Sequence, residues 1–153
     1  MTIHLVRHAQ AGNSDAWAGD DLARPLTAIG RDQAAALSGG FEGVERIISS
    51  PALRCVQTVA QLAARVGLEV GTDDRLLEDA DAGDTMALLD ELAGGTEAVV
   101  CSHGPVMWNV VRCLRLRGLD MDGPDHSAKA GWWSIDLADG ERGSARYSDP
   151  PSL

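Results

Sequence analysis

Three short runs of aliphatic and β-branched residues constrain this chain most. Thr2–Val6, Val44–Ser49 and Glu97–Cys101 each read as a buried strand bounded by polar or turn-forming residues. Helical patterns separate them. Pro25-Leu26-Thr27 opens the first, with Thr27 as N-cap, and Gly39-Gly40 closes it. Ser50-Pro51 starts the second, with Pro51 in its first turn. That helix stops before Gly67 and carries Leu53, Val56, Ala60 and Ala63 on one face. Thr85–Ala93 reads as a third helix, and Gly104-Pro105 begins a fourth, with Val106, Val110 and Leu114 inward. Strands that alternate with helices in this way build a parallel sheet covered on both faces.

The weaker segments complete the pattern. Gln10–Arg24 is a polar loop in which Trp17 reads as a partly buried anchor, with a lid contact as the alternative. Leu68–Gly71 is a short strand and Asp73–Asp84 an acidic irregular stretch. Near the end, Trp133, Ile135 and Leu137 alternate with Ser134 and Asp136, which is the period of a half-exposed strand. Asp139-Gly140 signals a hairpin, and Ala145 and Tyr147 mark the return strand. The expectation is one α/β domain over residues 1–153: three layers, αβα, around a mostly parallel mixed sheet with a C-terminal antiparallel hairpin.

Composition narrows the function. A net charge of -10 argues against nucleic acid or an anionic membrane surface as partner. No apolar run nears the roughly 20 residues of a transmembrane helix. The start, Met1-Thr2-Ile3-His4, lacks the features of a signal peptide, so the expected location is the cytoplasm. Cys55, Cys101 and Cys113 sit in apolar segments and read as buried structural thiols. Their spacing is not that of a zinc site.

In open α/β sheets, ligands bind at the carboxyl ends of the strands. Here those ends are Arg7-His8, then Ser49-Ser50-Pro51 with Arg54 one turn into the helix, then Ser102-His103-Gly104. Each is ordinary alone. Together, two arginines and two histidines converge on one spot, a costly arrangement unless an anion occupies it. Phosphate answers that need: it is dianionic, and its oxygens match the fork of an arginine.

Leu5-Val6-Arg7-His8-Ala9, Ser50-Pro51-Ala52-Leu53-Arg54-Cys55-Val56-Gln57-Thr58 and Ser102-His103-Gly104 resemble the three signatures of the histidine phosphatase superfamily, with its phosphoglycerate-mutase-like fold. Arg24-Pro25-Leu26-Thr27-Ala28-Ile29-Gly30 matches a further stretch usual there. The short length and the Arg-His-Ala-x-Ala form of the first motif look most like the small SixA-like phosphohistidine phosphatases. The resemblance implies His8 as the nucleophile that becomes phosphorylated. It implies that Arg7, Arg54 and His103 bind the phosphoryl group, with no metal or cofactor.

It also implies a carboxylate proton donor between the second and third motifs. Glu78 is the candidate, with Asp79 and Asp81 as rivals and a solvated acidic loop as the ordinary alternative. A leaving imidazole needs less acid help than an alkoxide, so a phosphohistidine phosphatase can do without the donor. Ser50 could donate to phosphate, although capping the following helix is the first reading. Asn13 could touch phosphate or serve a turn. Lys129 reads as exposed, with a reach to the mouth of the cleft as the alternative, and His4 and His126 are assigned no catalytic part.

The expected substrate is a phosphorylated protein, with a small phosphate ester as the alternative. A phosphate sensor without turnover is the rival from another class. A mutase is disfavoured by the short chain, and a dinucleotide-binding domain by the lack of Gly-x-Gly-x-x-Gly after the first strand.

Overall fold

The computed structural model describes residues 2–137 and 143–153. Among the described residues, seven strands form one sheet: β1 Ile3–Arg7, β2 Arg46–Ser49, β3 Val70–Thr72, β4 Ala98–Ser102, β5 Asp120–Asp122, β6 Trp132–Asp136 and β7 Ser144–Ser148. Their order is β3-β2-β4-β1-β6-β7-β5. β1, β2, β3 and β4 run parallel, β6 lies antiparallel to β1 and to β7, and β5 is parallel to β7. This is the expected mixed α/β sheet. The Asp139-Gly140 turn lies outside the described residues.

Four helices cover the sheet: α1 Ala28–Ser38, α2 Leu53–Val66, α3 Ala82–Leu92 and α4 Gly104–Leu116. Alternation along each central strand divides the core into two layers. Val6, Ile47 and Val99 pack with α1 and α2, while Leu5, Ile48 and Val100 pack with α3 and α4. Trp133 and Ile135 of β6 are fully buried in the second layer.

The start of α1 is clasped to the chain leaving β1. Thr27 caps it by accepting from Gly30 N at 3.1 Å, while the Thr27 N–H donates to the Gln10 carbonyl at 3.0 Å. Gly30 presses so close that a Cβ there would lie 2.0 Å from the Gln10 oxygen. Only glycine fits.

Several expectations shift. β2 begins at Arg46 rather than Val44, and the third strand occupies Val70–Thr72. Pro51 lies before α2 rather than in its first turn, because Ser50-Pro51-Ala52 bends first and Ala52 is the N-cap. The inward face of α2 is Arg54, Cys55, Thr58, Val59, Leu62 and Ala63, whereas Leu53 is exposed and Val56 half-buried. The helix is rotated so that Arg54 points inward with the apolar residues.

α3 starts at Ala82, where Asp81 caps it by accepting from Gly83 N. β5 was not anticipated: it is only three residues long and two of them are exposed aspartates. No described helix is long and apolar enough to cross a membrane.

Candidate active site

β2, β4 and β1 are neighbours, and their carboxyl ends are level. Arg7 pairs with Ser102 across β1 and β4, and Ser49 pairs with Cys101 across β2 and β4. The ladder continues one bond beyond the strands: His8 N donates to Ser102 O, and Ser50 N to Cys101 O, each at 2.9 Å. The sheet therefore brings together His8, Arg7, Arg54, His103 and Ser50 from three segments that lie far apart in sequence.

His8 is held in one tautomer. Its Nδ1 lies 2.8 Å from the Ala9 carbonyl, which can only accept, so Nδ1 carries the proton and Nε2 keeps its lone pair. Burial, first of all, pushes the imidazole down to about 3. The bond to Ala9 opposes this, and His103, Arg54 and Arg7 add to the depression. A neutral His8 with its lone pair on Nε2 follows at neutral pH.

Thr58 fixes the backbone behind it. Its hydroxyl accepts from Ala9 N at 2.9 Å and donates to the Arg54 carbonyl at 2.7 Å. One side chain thus ties the His8 loop to the helix that carries Arg54. The methyl of Ala9 is fully buried in the first core layer, so alanine there is a packing residue.

His103 is 1% exposed, and its ring packs edge-on to His8, with centroids 5.4 Å apart. Arg54 Nη2, a donor only, stands 3.3 Å from His103 Nδ1, so Nδ1 accepts. The proton then sits on Nε2, which donates to Ser50 Oγ at 2.8 Å. Ser50 Oγ also accepts from Ala52 N at 3.3 Å. Ser50 thus caps the bend before α2 and also orients His103, a contact the sequence reading did not anticipate. Its own hydroxyl proton remains available to a ligand. Cys55 Sγ is 3.6 Å from His103 Nε2, so one of the buried thiols borders the site.

The arginines have donors to spare. Arg54 is 1% exposed and gives Nη1 to the Asp21 carbonyl at 2.8 Å and Nη2 to Asp21 Oδ2 at 3.1 Å. Arg7 gives Nη1 to the Ser127 carbonyl at 2.7 Å. The Nε atoms of both are buried and find no hydrogen-bond partner among the described residues. Leaving such donors unmet is costly, and an incoming anion satisfies them. Gly104 lets α4 approach Arg7: an added Cβ would lie 3.0 Å from the guanidinium carbon.

α2 and α4, which begin beside this cluster, have no side-chain cap, whereas α1 and α3 do. Their free N–H groups and positive dipole ends favour an anion.

Glu78 is half-exposed, with Oε2 3.5 Å from Arg54 Nη2, and shares a hollow with Asp79, Leu77 and Leu22 at the edge of the cluster. Asp81 is instead the cap of α3. Asn13 caps the turn Ser14–Ala16 by accepting from Asp15 N at 2.9 Å and is not among the residues gathered around His8. Trp17 is 39% exposed and donates to the Asp20 carbonyl. Lys129 is half-buried rather than exposed. Burial depresses its ammonium, and the charges of Arg7 and Arg24 add to that.

His4 bonds Ser134 and Glu97, away from the cluster. Among the described residues, no group of three or more His, Cys, Asp or Glu could hold a metal ion.

The sequence reading missed Asp21 and Thr58. Asp21 bridges Arg54 and Arg24, its Oδ1 accepting from Arg24 Nε at 3.1 Å. It is one of several aspartates in a polar loop, and nothing local marks it out. Thr58 lies four residues after Arg54 on the same helical face, which was the available signal.

Known proteins share this architecture. The protein histidine phosphatase SixA, solved with tungstate, superposes with a TM-score of 0.77 at 26% identity, covering 98% of this chain and 97% of its own. A mycobacterial glucosyl-3-phosphoglycerate phosphatase shares the fold at 19% identity, with a TM-score of 0.72 and 99% of each chain covered. An 8-oxo-(d)GTP phosphatase of Mycolicibacterium smegmatis is 32% identical over 98% of this chain and 48% of its own length, so the chain spans about half of that curated relative. The model of the histidine phosphatase superfamily (branch 1) matches residues 3–87, which hold the first two motifs. The chain belongs to the histidine phosphatase superfamily, branch 1.

Proposed function

We propose that this chain is a metal-independent phosphatase that works through a covalent phospho-His8, with phosphohistidine on a protein as its substrate. The observation that carries the reading is the His8 tautomer: Nδ1 is committed to the Ala9 carbonyl, and Nε2 is free beside two buried arginines with unmet donors. Nε2 attacks phosphorus as the bond to the leaving nitrogen breaks, and that nitrogen takes up a proton. Water then attacks the phosphorus of phospho-His8, the P–N bond breaks, and inorganic phosphate leaves.

Arg7 and Arg54 bind the equatorial oxygens. Ser50, whose hydroxyl proton is uncommitted, adds a hydrogen bond to charge that develops in transfer, and His103 holds Ser50 and Arg54 in position for it. Glu78 stands where a proton could be passed to a poorer leaving group. The open edge of the site and the likeness to SixA support a protein-borne phosphohistidine. Free cysteines throughout suit a reducing compartment, the cytoplasm.

A second reading, a small phosphate compound such as a phosphomonoester or a nucleotide as substrate, is supported by the 32% identity to the 8-oxo-(d)GTP phosphatase, of which the chain spans 48%. The test is phosphate release from a histidine-phosphorylated protein, a nucleotide and p-nitrophenyl phosphate, with His8→Ala alongside. Turnover that survives His8→Ala sinks the covalent mechanism. Phosphate binding without turnover in the parent protein identifies a sensor instead.

A further inference from the structure

A hollow of about 360 Å³ opens on the Arg7 side of the site, a size within the range of small-ligand pockets. Arg7, Gly104, Pro105, Trp108, Asn109 and His126 line it. Arg7 borders the hollow, and in the proposed reading the same arginine holds the phosphoryl group, so a group attached to the phosphorus can extend into it.

Trp108 is the unusual wall. α4 buries Val106, Met107, Val110, Val111 and Leu114, and Trp108 belongs to neither core layer. Its neighbours are flat polar groups. The Arg112 guanidinium stands 4.5 Å over its ring, and the His126 ring lies nearly parallel, at 19°, with centroids 6.3 Å apart. Arg112 takes part of the indole, and His126 extends a second ring parallel to it beside the hollow, so the two rings together form an aromatic wall. Asn109, whose side chain forms no hydrogen bond with any described residue, offers a donor and an acceptor to a ring edge.

We infer that this hollow is a leaving-group subsite that stacks a planar aromatic ring, carried by the substrate phosphate, against Trp108 and His126. The inference rests on the phosphatase reading for its orientation. The ring is the imidazole of a phosphohistidine or the base of a nucleotide.

The experiment measures equilibrium binding to His8→Ala, which needs no turnover. The ligands are phosphoimidazole, guanosine 5′-monophosphate and glycerol 3-phosphate. One or both ring ligands bind roughly 5- to 100-fold more tightly than glycerol 3-phosphate, the range expected of one stacked ring. Adding Trp108→Ala removes that preference, and Trp108→Phe restores most of it. Whichever ring ligand shows the preference identifies the source.

Equal binding of all three ligands, or a preference that persists in Trp108→Ala, overturns the subsite. A protein that binds rings through Trp108 yet releases no phosphate from any ester or phosphoramidate keeps the subsite and refutes the phosphatase reading.

Discussion

Replacing Gly104 by alanine separates positioning from folding. The Gly104 backbone is not in the left-handed region, so alanine can adopt it without strain. The chain even gains from the stiffer unfolded state, by about 0.4–1 kcal/mol. The new methyl, however, meets Arg7 at 3.0 Å from both Cζ and Nη2, and 3.1 Å from Nε. Ordinary contact requires a retreat of several tenths of an ångström. Arg7 cannot simply swing aside, because Nη1 is anchored to the Ser127 carbonyl at 2.7 Å.

A displacement of about 1 Å in a catalytic group costs about 10²-fold, so this smaller one is expected to lower kcat/KM roughly 10-fold. Stability should stay within about 1 kcal/mol of the parent. Steady-state kinetics on p-nitrophenyl phosphate and urea denaturation of the same preparations test both parts. An unchanged kcat/KM in a normally stable Gly104→Ala protein would refute the placement of Arg7 as a phosphoryl clamp. A loss of activity matched by a large loss of stability would refute the separation.

Thr58→Val keeps the shape but strands the buried Ala9 N–H. It should cost about 1–3 kcal/mol in urea denaturation and lower kcat by loosening the loop that fixes the His8 ring. His8, held down to about 3 chiefly by burial, is neutral in the fold, whereas the unfolded chain takes up its proton near pH 6.5. Its contribution to stability is therefore complete above pH 6.5 and is lost as pH falls toward 3, with a slope of at most about 1.4 kcal/mol per unit. His8→Asn should flatten the stability profile between pH 6.5 and 5, and an identical profile in the variant would contradict the assignment. Glu78→Gln should slow an alkyl phosphate roughly 10²- to 10⁴-fold more than it slows phosphohistidine, as read from the ratio of kcat values. Equal effects on both would remove Glu78 as a proton donor.

What the sequence made legible and what it hid divide along physical lines. Buried strands declare themselves through uninterrupted Val and Ile, and a cap such as Thr27 through its place before a helix. The Arg–His cluster was readable because strand ends in a parallel sheet are forced to the same edge. Thr58 and Asp21 were harder to read, since their roles rest on hydrogen bonds to groups 49 and 33 residues away. Pattern fixes which face a residue occupies, not which distant polar atom it meets. The rotation of α2 shows the same limit: the apolar count favoured Leu53 and Val56, but the need to turn Arg54 inward decided the face. β5 is held by its parallel register with β7 rather than by its own apolar content, so it carries no local signal.

The backbone bonds from His8 to Ser102 and from Ser50 to Cys101 have a consequence for hydrogen exchange. These amides lie one residue beyond β1 and β2, and both are bonded into β4, the strand between them. Such positions open to solvent only when the whole sheet does. The amide protons of His8 and Ser50 should therefore exchange at the rate of global unfolding, while those of Asn13–Ala23 exchange far sooner. The Arg–His cluster then has no private route to disorder, and any condition that preserves the sheet also preserves the backbone that holds His8.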